Sequence, residues 1–169
     1  METILSINEK YLEEAMNKVT RVGSFLEENG FNNYLIVGSC ALLACGYPLN
    51  RPVHDIDIEV KCSKDEEKIF KALADSYGNN FYLIHEEYPE RVGFEHKPYI
   101  FKVGDILVNI WCVRQYTHLT AVHIDKYKFA TMMSVLSKKM SYKRSKDVQD
   151  GIKFASLILD ICKWLWLNL

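Results

Sequence analysis

Nothing in the sequence marks a seam. No Gly/Ser-rich or Pro-rich stretch and no internal repeat divides the 169 residues, and only four prolines and eight glycines are present, so the reading is one domain over 1–169. An excess of either charge is also missing. Against 22 Asp and Glu stand 21 Lys and Arg, a formal net charge of -1, which excludes a global basic field that would draw the chain onto nucleic acid. Any nucleotide must then be held locally. The start, METILSINEKYLEEAMNK, has no basic stretch followed by an apolar run, so no export is expected. The most apolar segment, FASLILDICKWLWLNL, is broken by Asp160 and Lys163 and falls short of the roughly 20 apolar residues that span a bilayer, which excludes a membrane span. The five cysteines (Cys40, Cys45, Cys62, Cys112, Cys162) are odd in number and form no CxxC pair. That pattern sets a zinc site aside and predicts reduced, buried packing thiols in a cytoplasmic protein.

What is present is a core: 49% of the residues are hydrophobic, enough for one real domain. Ile7, Tyr11, Leu12, Ala15, Val19, Val22 and Leu26 recur at three- and four-residue steps and predict a helix over 7–29, stopped at Asn29-Gly30. A short strand follows at Tyr34–Val37, then Gly38-Ser39 and a short helix ending near Gly46. After the loop YPLNRPV, acidic and apolar residues alternate from His54 to Lys61, the period of a strand with one wet face. Further expectations are a helix over 64–76, a strand over Asn80–Glu86, and a hairpin over Tyr99–Val113 turning at Gly104-Asp105. Helices are expected over about Asp125–Ser137 and from about Ser145 onward, joined by the solvated basic stretch SKKMSYKRSK. The class is α+β: a small mixed sheet over about 31–115 with flanking helices, and C-terminal helices over about 121–169.

Three devices fall between Val37 and Val60. Gly38-Ser39 opens a helix, where unpaired backbone N–H groups and the positive dipole end suit a phosphate; a plain strand-to-helix turn is the alternative. Asp55 and Asp57 lie two apart on a strand, so both carboxylates share a face. Like charges that close call for compensation, and a divalent cation with oxygen ligands, magnesium, supplies it; a merely solvated strand face is the alternative. Arg51, four residues before Asp55, is near enough to reach a phosphate beside such a metal. Phosphoryl-type chemistry needs this combination of positioning and charge neutralisation.

These residues resemble the nucleotidyltransferase superfamily, which includes DNA polymerase β, the small antitoxin nucleotidyltransferases and the nucleotidyltransferase-like toxins of abortive-infection systems. The resemblance covers most of the chain. It rests on Gly38-Ser39 and on Arg51-Pro52-Val53-His54-Asp55-Ile56-Asp57, with Val53 where the family often has a hydroxyl. Farther on it rests on Lys128, set in the first helix after the sheet, and on Arg144-Ser145-Lys146-Asp147-Val148-Gln149-Asp150. The resemblance implies transfer of a nucleotidyl group from a nucleoside triphosphate to an acceptor hydroxyl on a small molecule, a protein or an RNA end. It implies Mg²⁺ on Asp55 and Asp57, with a two-metal site allowed, and nucleotide binding by Gly38, Ser39, Arg51 and Lys128. The family's third carboxylate falls here on Asn109, whose neutral amide can lend a metal one oxygen but is a poor general base. Asp105 shares the face of Leu107 and Asn109 by alternation but lies too near the turn to serve as the substitute; Glu59 is another candidate, because it continues the face of the aspartates. Asn109 therefore also supports a second reading, a weakened or inactive member of the fold serving as a binding or toxin-antitoxin type partner.

The remaining features are read as structural. The five histidines show no metal-site spacing, and the basic cluster around 138–146 reads as a solvated loop. Trp164, Leu165, Trp166 and Leu167 read as closing a core, with a protein-interaction surface as the alternative.

Overall fold

The apolar stripe of the first segment makes α1 (Ile4–Glu28), whose Ala15, Val19, Val22 and Leu26 are buried in the core. It stops at Asn29-Gly30, where the N–H of Phe31 reaches back to the carbonyl of Leu26 at 2.8 Å. In the computed structural model, which describes residues 4–49, 51–77, 98–142 and 145–168, the chain continues through β1 (Tyr34–Val37), α2 (Gly38–Ala44), β2 (Asp55–Lys61) and α3 (Lys64–Tyr77). It then forms β3 (Tyr99–Val103), β4 (Ile106–Val113), β5 (Ala121–Ile124), β6 (Tyr127–Ala130), α4 (Met132–Tyr142) and α5 (Ser145–Asn168). The strand expected over Asn80–Glu86 lies outside the described residues.

The six strands form one mixed sheet in the order β3-β4-β2-β1-β6-β5. β2 pairs antiparallel with β1 and parallel with β4, and β1 pairs parallel with β6. Alternation along β2 then sorts the faces. Ile56, Ile58 and Val60 share one face with Ile36, Val108 and Phe129, and all are buried. Helices α1 and α3 belong to this core: the Phe25 ring lies tilted 5.8 Å from that of Phe101, and Phe31 lies 4.1 Å from Phe70. The opposite face carries Asp55, Asp57 and Glu59, level with Leu107, Asn109 and Trp111 of β4.

Four expectations are corrected. Residues 121–130 are a hairpin rather than the start of a helix, so the sheet reaches past 115 and helix begins only at Met132. Tyr127 and Phe129 are buried at a step of two, the period of a strand, and Asp125 turns the chain with φ 53°. The basic stretch is no loop as far as Tyr142, because it continues α4 and buries Lys139. Cys40 and Cys62 are buried and Cys45 and Cys112 half-buried, whereas Cys162 is exposed. Trp164, Leu165 and Trp166 close no core: they are 63%, 46% and 83% exposed on α5. No helix among the described residues is long and apolar enough to cross a membrane.

Candidate functional site

The parallel register of β2 and β4 sets Asp57 beside Asn109, and alternation brings Asp55 onto the same face. The Asn109 side chain is wedged between them. Its amide nitrogen donates to Asp55 Oδ2 and to Asp57 Oδ1, both at 3.0 Å. Ionised carboxylates only accept, so the NH₂ end of the amide must face them. Asn109 is 1% exposed, and its Oδ1 is left buried with no hydrogen-bond partner. A buried acceptor without a donor costs about 1–3 kcal/mol, so the amide satisfies the two carboxylates at the expense of its own oxygen.

Gly38 closes the site from β1. Val37 is level with Asp57, and a Cβ on Gly38 would stand 2.2 Å from Asp57 Oδ2. Its φ of 67° is one that L residues rarely adopt, so glycine is required here twice over. Helix α2 then runs for only seven residues, with no side-chain bond capping it. Ser39 does not cap the helix; its hydroxyl accepts from Arg51 Nη2 at 3.1 Å. The same guanidinium lies 3.7 Å from Asp150 of α5. Arg51, Ser39, Gly38, Asp57, Asn109 and Asp55 therefore form one continuous set along the edge where β1 ends and β2 begins. Cys40 lies against it as an inert thiol, its pKa pushed up to about 12 by burial and by the nearby charge of Asp57.

Lys128 stands elsewhere, and not on a helix. It sits on β6 with its ammonium 5.1 Å from the ring centre of Tyr116, whose hydroxyl donates to Asn33 at the start of β1, the end opposite Gly38. The lysine that meets Asp147 and Asp150 is Lys139 of α4, at 3.1 and 3.0 Å, and all three side chains are buried. Tyr47, from the loop after α2, donates to the Asp150 carbonyl and ties that loop to the same clamp. Sequence reasoning missed Lys139 because it lay within a stretch read as solvated; the one available signal was its spacing of eight and eleven residues from the two aspartates.

Neither Asp105 nor Glu59 joins the aspartates. Asp105 is exposed in the β3–β4 turn, paired with Arg21 at 2.7 Å. Glu59 is fully buried and already occupied, accepting from the Thr117 N–H at 2.8 Å, the Thr117 hydroxyl and His118 Nδ1 at 2.8 Å, with Lys138 at 3.6 Å. Burial alone would raise its pKa, but these partners outweigh burial and hold the carboxyl below its ordinary value.

The donors that could hold a metal are thus two carboxylates and one amide oxygen, all hard oxygens of the kind magnesium selects. No group of three His, Cys, Asp or Glu side chains suited to a metal occurs among the described residues. The orphaned Oδ1 makes Asn109 fit such an ion, because turning the amide would offer an oxygen where the nitrogen now donates. No protein-family model, no curated protein and no solved structure matches the chain, so the reading of this site rests on its own geometry.

Proposed function

We infer that the protein is a magnesium-dependent nucleotidyltransferase, moving a nucleotidyl group from a nucleoside triphosphate to an acceptor hydroxyl. The observation that carries this reading is the meeting of Asp55, Asp57 and Asn109 at one end of a mixed sheet, joined through Gly38 to Ser39 and Arg51. Asp55, Asp57 and the Asn109 oxygen would hold the ion, which when bound neutralises charge on the triphosphate. Arg51 brings a planar guanidinium suited to phosphate oxygens, and the Ser39 hydroxyl beside it adds a second polar contact. The acceptor oxygen attacks the α-phosphorus, the bond to the bridging oxygen breaks and pyrophosphate leaves. Asn109 cannot take the acceptor's proton, which falls to an aspartate or to water.

Calorimetry with a panel of nucleoside triphosphates and Mg²⁺, followed by transfer of labelled nucleotide to candidate acceptors, tests this reading. The wild type is expected to bind, and Asp55→Asn with Asp57→Asn to abolish binding while the protein stays folded. Unchanged binding in the double variant overturns the assignment. A second reading, an inactive member of the same fold acting as a binding partner, is favoured by the way the Asn109 amide already satisfies both carboxylates. Nucleotide binding without any turnover would select it.

A further inference from the structure

Arg51 belongs to the loop between α2 and β2, so no helix or strand of its own fixes where its side chain points. It is held from one side only. Its Nη2 meets the Ser39 hydroxyl at 3.1 Å and Asp150 Oδ2 at 3.7 Å, while its Nε and Nη1 make no hydrogen bond to the described residues and the side chain is 37% exposed. Asp150, by contrast, is firmly placed. Its side chain is 5% exposed, the same Oδ2 accepts from Lys139 Nζ at 3.0 Å, and its backbone carbonyl accepts from the Tyr47 hydroxyl. Lys139 carries one charge and faces two buried carboxylates, Asp147 at 3.1 Å and Asp150 at 3.0 Å. Arg51 brings a second positive charge to that pair, and Asp150 is the carboxylate that meets both cations.

We propose that Asp150 is a positioning residue, which aims the Arg51 guanidinium at the phosphates of the bound triphosphate. The proposal rests on the reading of the Asp55–Asp57 edge as a triphosphate site. Without the carboxylate, Arg51 would keep only the neutral Ser39 hydroxyl, a weaker anchor than a charged partner. A long side chain loses rotamer freedom when it takes a ligand, and ordering it beforehand lowers that cost. The separation of 3.7 Å makes the contact with Asp150 an ion pair rather than a hydrogen bond, so the guanidinium keeps its N–H groups for phosphate oxygens. Asp150 is itself set by Lys139 of α4. The two C-terminal helices thereby fix the direction of a side chain that the α2–β2 loop alone would leave free.

Titration calorimetry on the full chain, with magnesium nucleoside triphosphates and with inorganic triphosphate, tests the proposal in a double-variant cycle of Arg51→Ala and Asp150→Asn. Arg51→Ala is expected to weaken binding by about 10–100-fold, the worth of a charge-assisted hydrogen bond. Asp150→Asn should weaken it by about tenfold in the wild type and by less than about twofold once Arg51 is alanine, because no guanidinium is left to aim. Asp147→Asn also takes an acid from Lys139, so it should lower the melting temperature comparably and leave affinity unchanged. An Asp150→Asn variant that binds like the wild type, or loses the same factor with and without Arg51, overturns the proposal. Nuclear magnetic resonance of the wild type gives a test that needs no variant at Asp150: the Arg51 guanidinium should show restricted rotation, and free rotation overturns the proposal. Binding of inorganic triphosphate with the Arg51-dependent loss, but of no nucleoside triphosphate, would sink the transferase reading and leave the positioning of Arg51 standing. A wild type that binds neither overturns both.

Discussion

Asn109 is a donor where a metal site would use an acceptor, and this makes its replacement informative in two directions. Asn109→Asp puts a third carboxylate against Asp55 and Asp57 and removes the hydrogen bonds that hold them at 3.0 Å. The variant is therefore expected to melt lower than the wild type without Mg²⁺ and to gain more from its addition, in a calorimetric scan with and without the ion. If transfer is limited by the missing base, its rate should rise by roughly 10²–10⁴. Gly38→Ala tests the same site from β1: a Cβ there meets Asp57 Oδ2 and the backbone φ opposes it, so a loss of about 1–3 kcal/mol in urea unfolding is expected, with weaker Mg²⁺ binding. Glu59 gives a pH signature. Its carboxyl is held below the ordinary 4.5, so its contribution is fully present above that value and is lost as pH falls through the lower folded value. Stability measured against pH should drop over that acid interval, and Glu59→Gln should remove this part of the slope.

Helices α4 and α5 meet through charge as well as packing. Lys139→Ala would leave Asp147 and Asp150 buried without their shared cation, and a destabilisation of about 3–5 kcal/mol by chemical denaturation is expected. Lys128→Ala should lower stability by only about 0.5–1 kcal/mol, the worth of its contact with Tyr116, and leave nucleotide affinity unchanged. The contrast between these lysines marks what was legible in the sequence. β2 could be read because its alternation spans seven residues with one strictly apolar face, and the β3–β4 hairpin because Gly104-Asp105 supplies the turn. The shared face of Asp55 and Asp57 followed from the same alternation. The β5–β6 hairpin escaped because each strand has only four residues and Asp125, with no glycine beside it, makes the turn. Pairing with β1 decides that segment, and such long-range contacts leave no local period. The partners of Lys139 and Glu59 were hidden for the same reason, since they depend on how α4 and the 117–118 turn cross the sheet.

At the scale of the whole molecule, the mixed sheet governs how the chain can be made as well as what it holds. β1 sits at the centre, yet one of its neighbours, β6, is joined to it through Ile36 and Phe129, positions about ninety residues apart in the chain. The parallel pairing of β2 with β4 closes another long interval. Contacts this distant must be brought together against chain entropy before they contribute, so refolding from urea is expected on a millisecond-to-second scale rather than in microseconds, as stopped-flow fluorescence of the tryptophans can measure. During synthesis the consequence is directional. β1 and β2 leave the ribosome early, but β1 keeps one edge open until the last hairpin arrives, and through that interval the nascent chain carries an unpaired strand edge that another chain could take up.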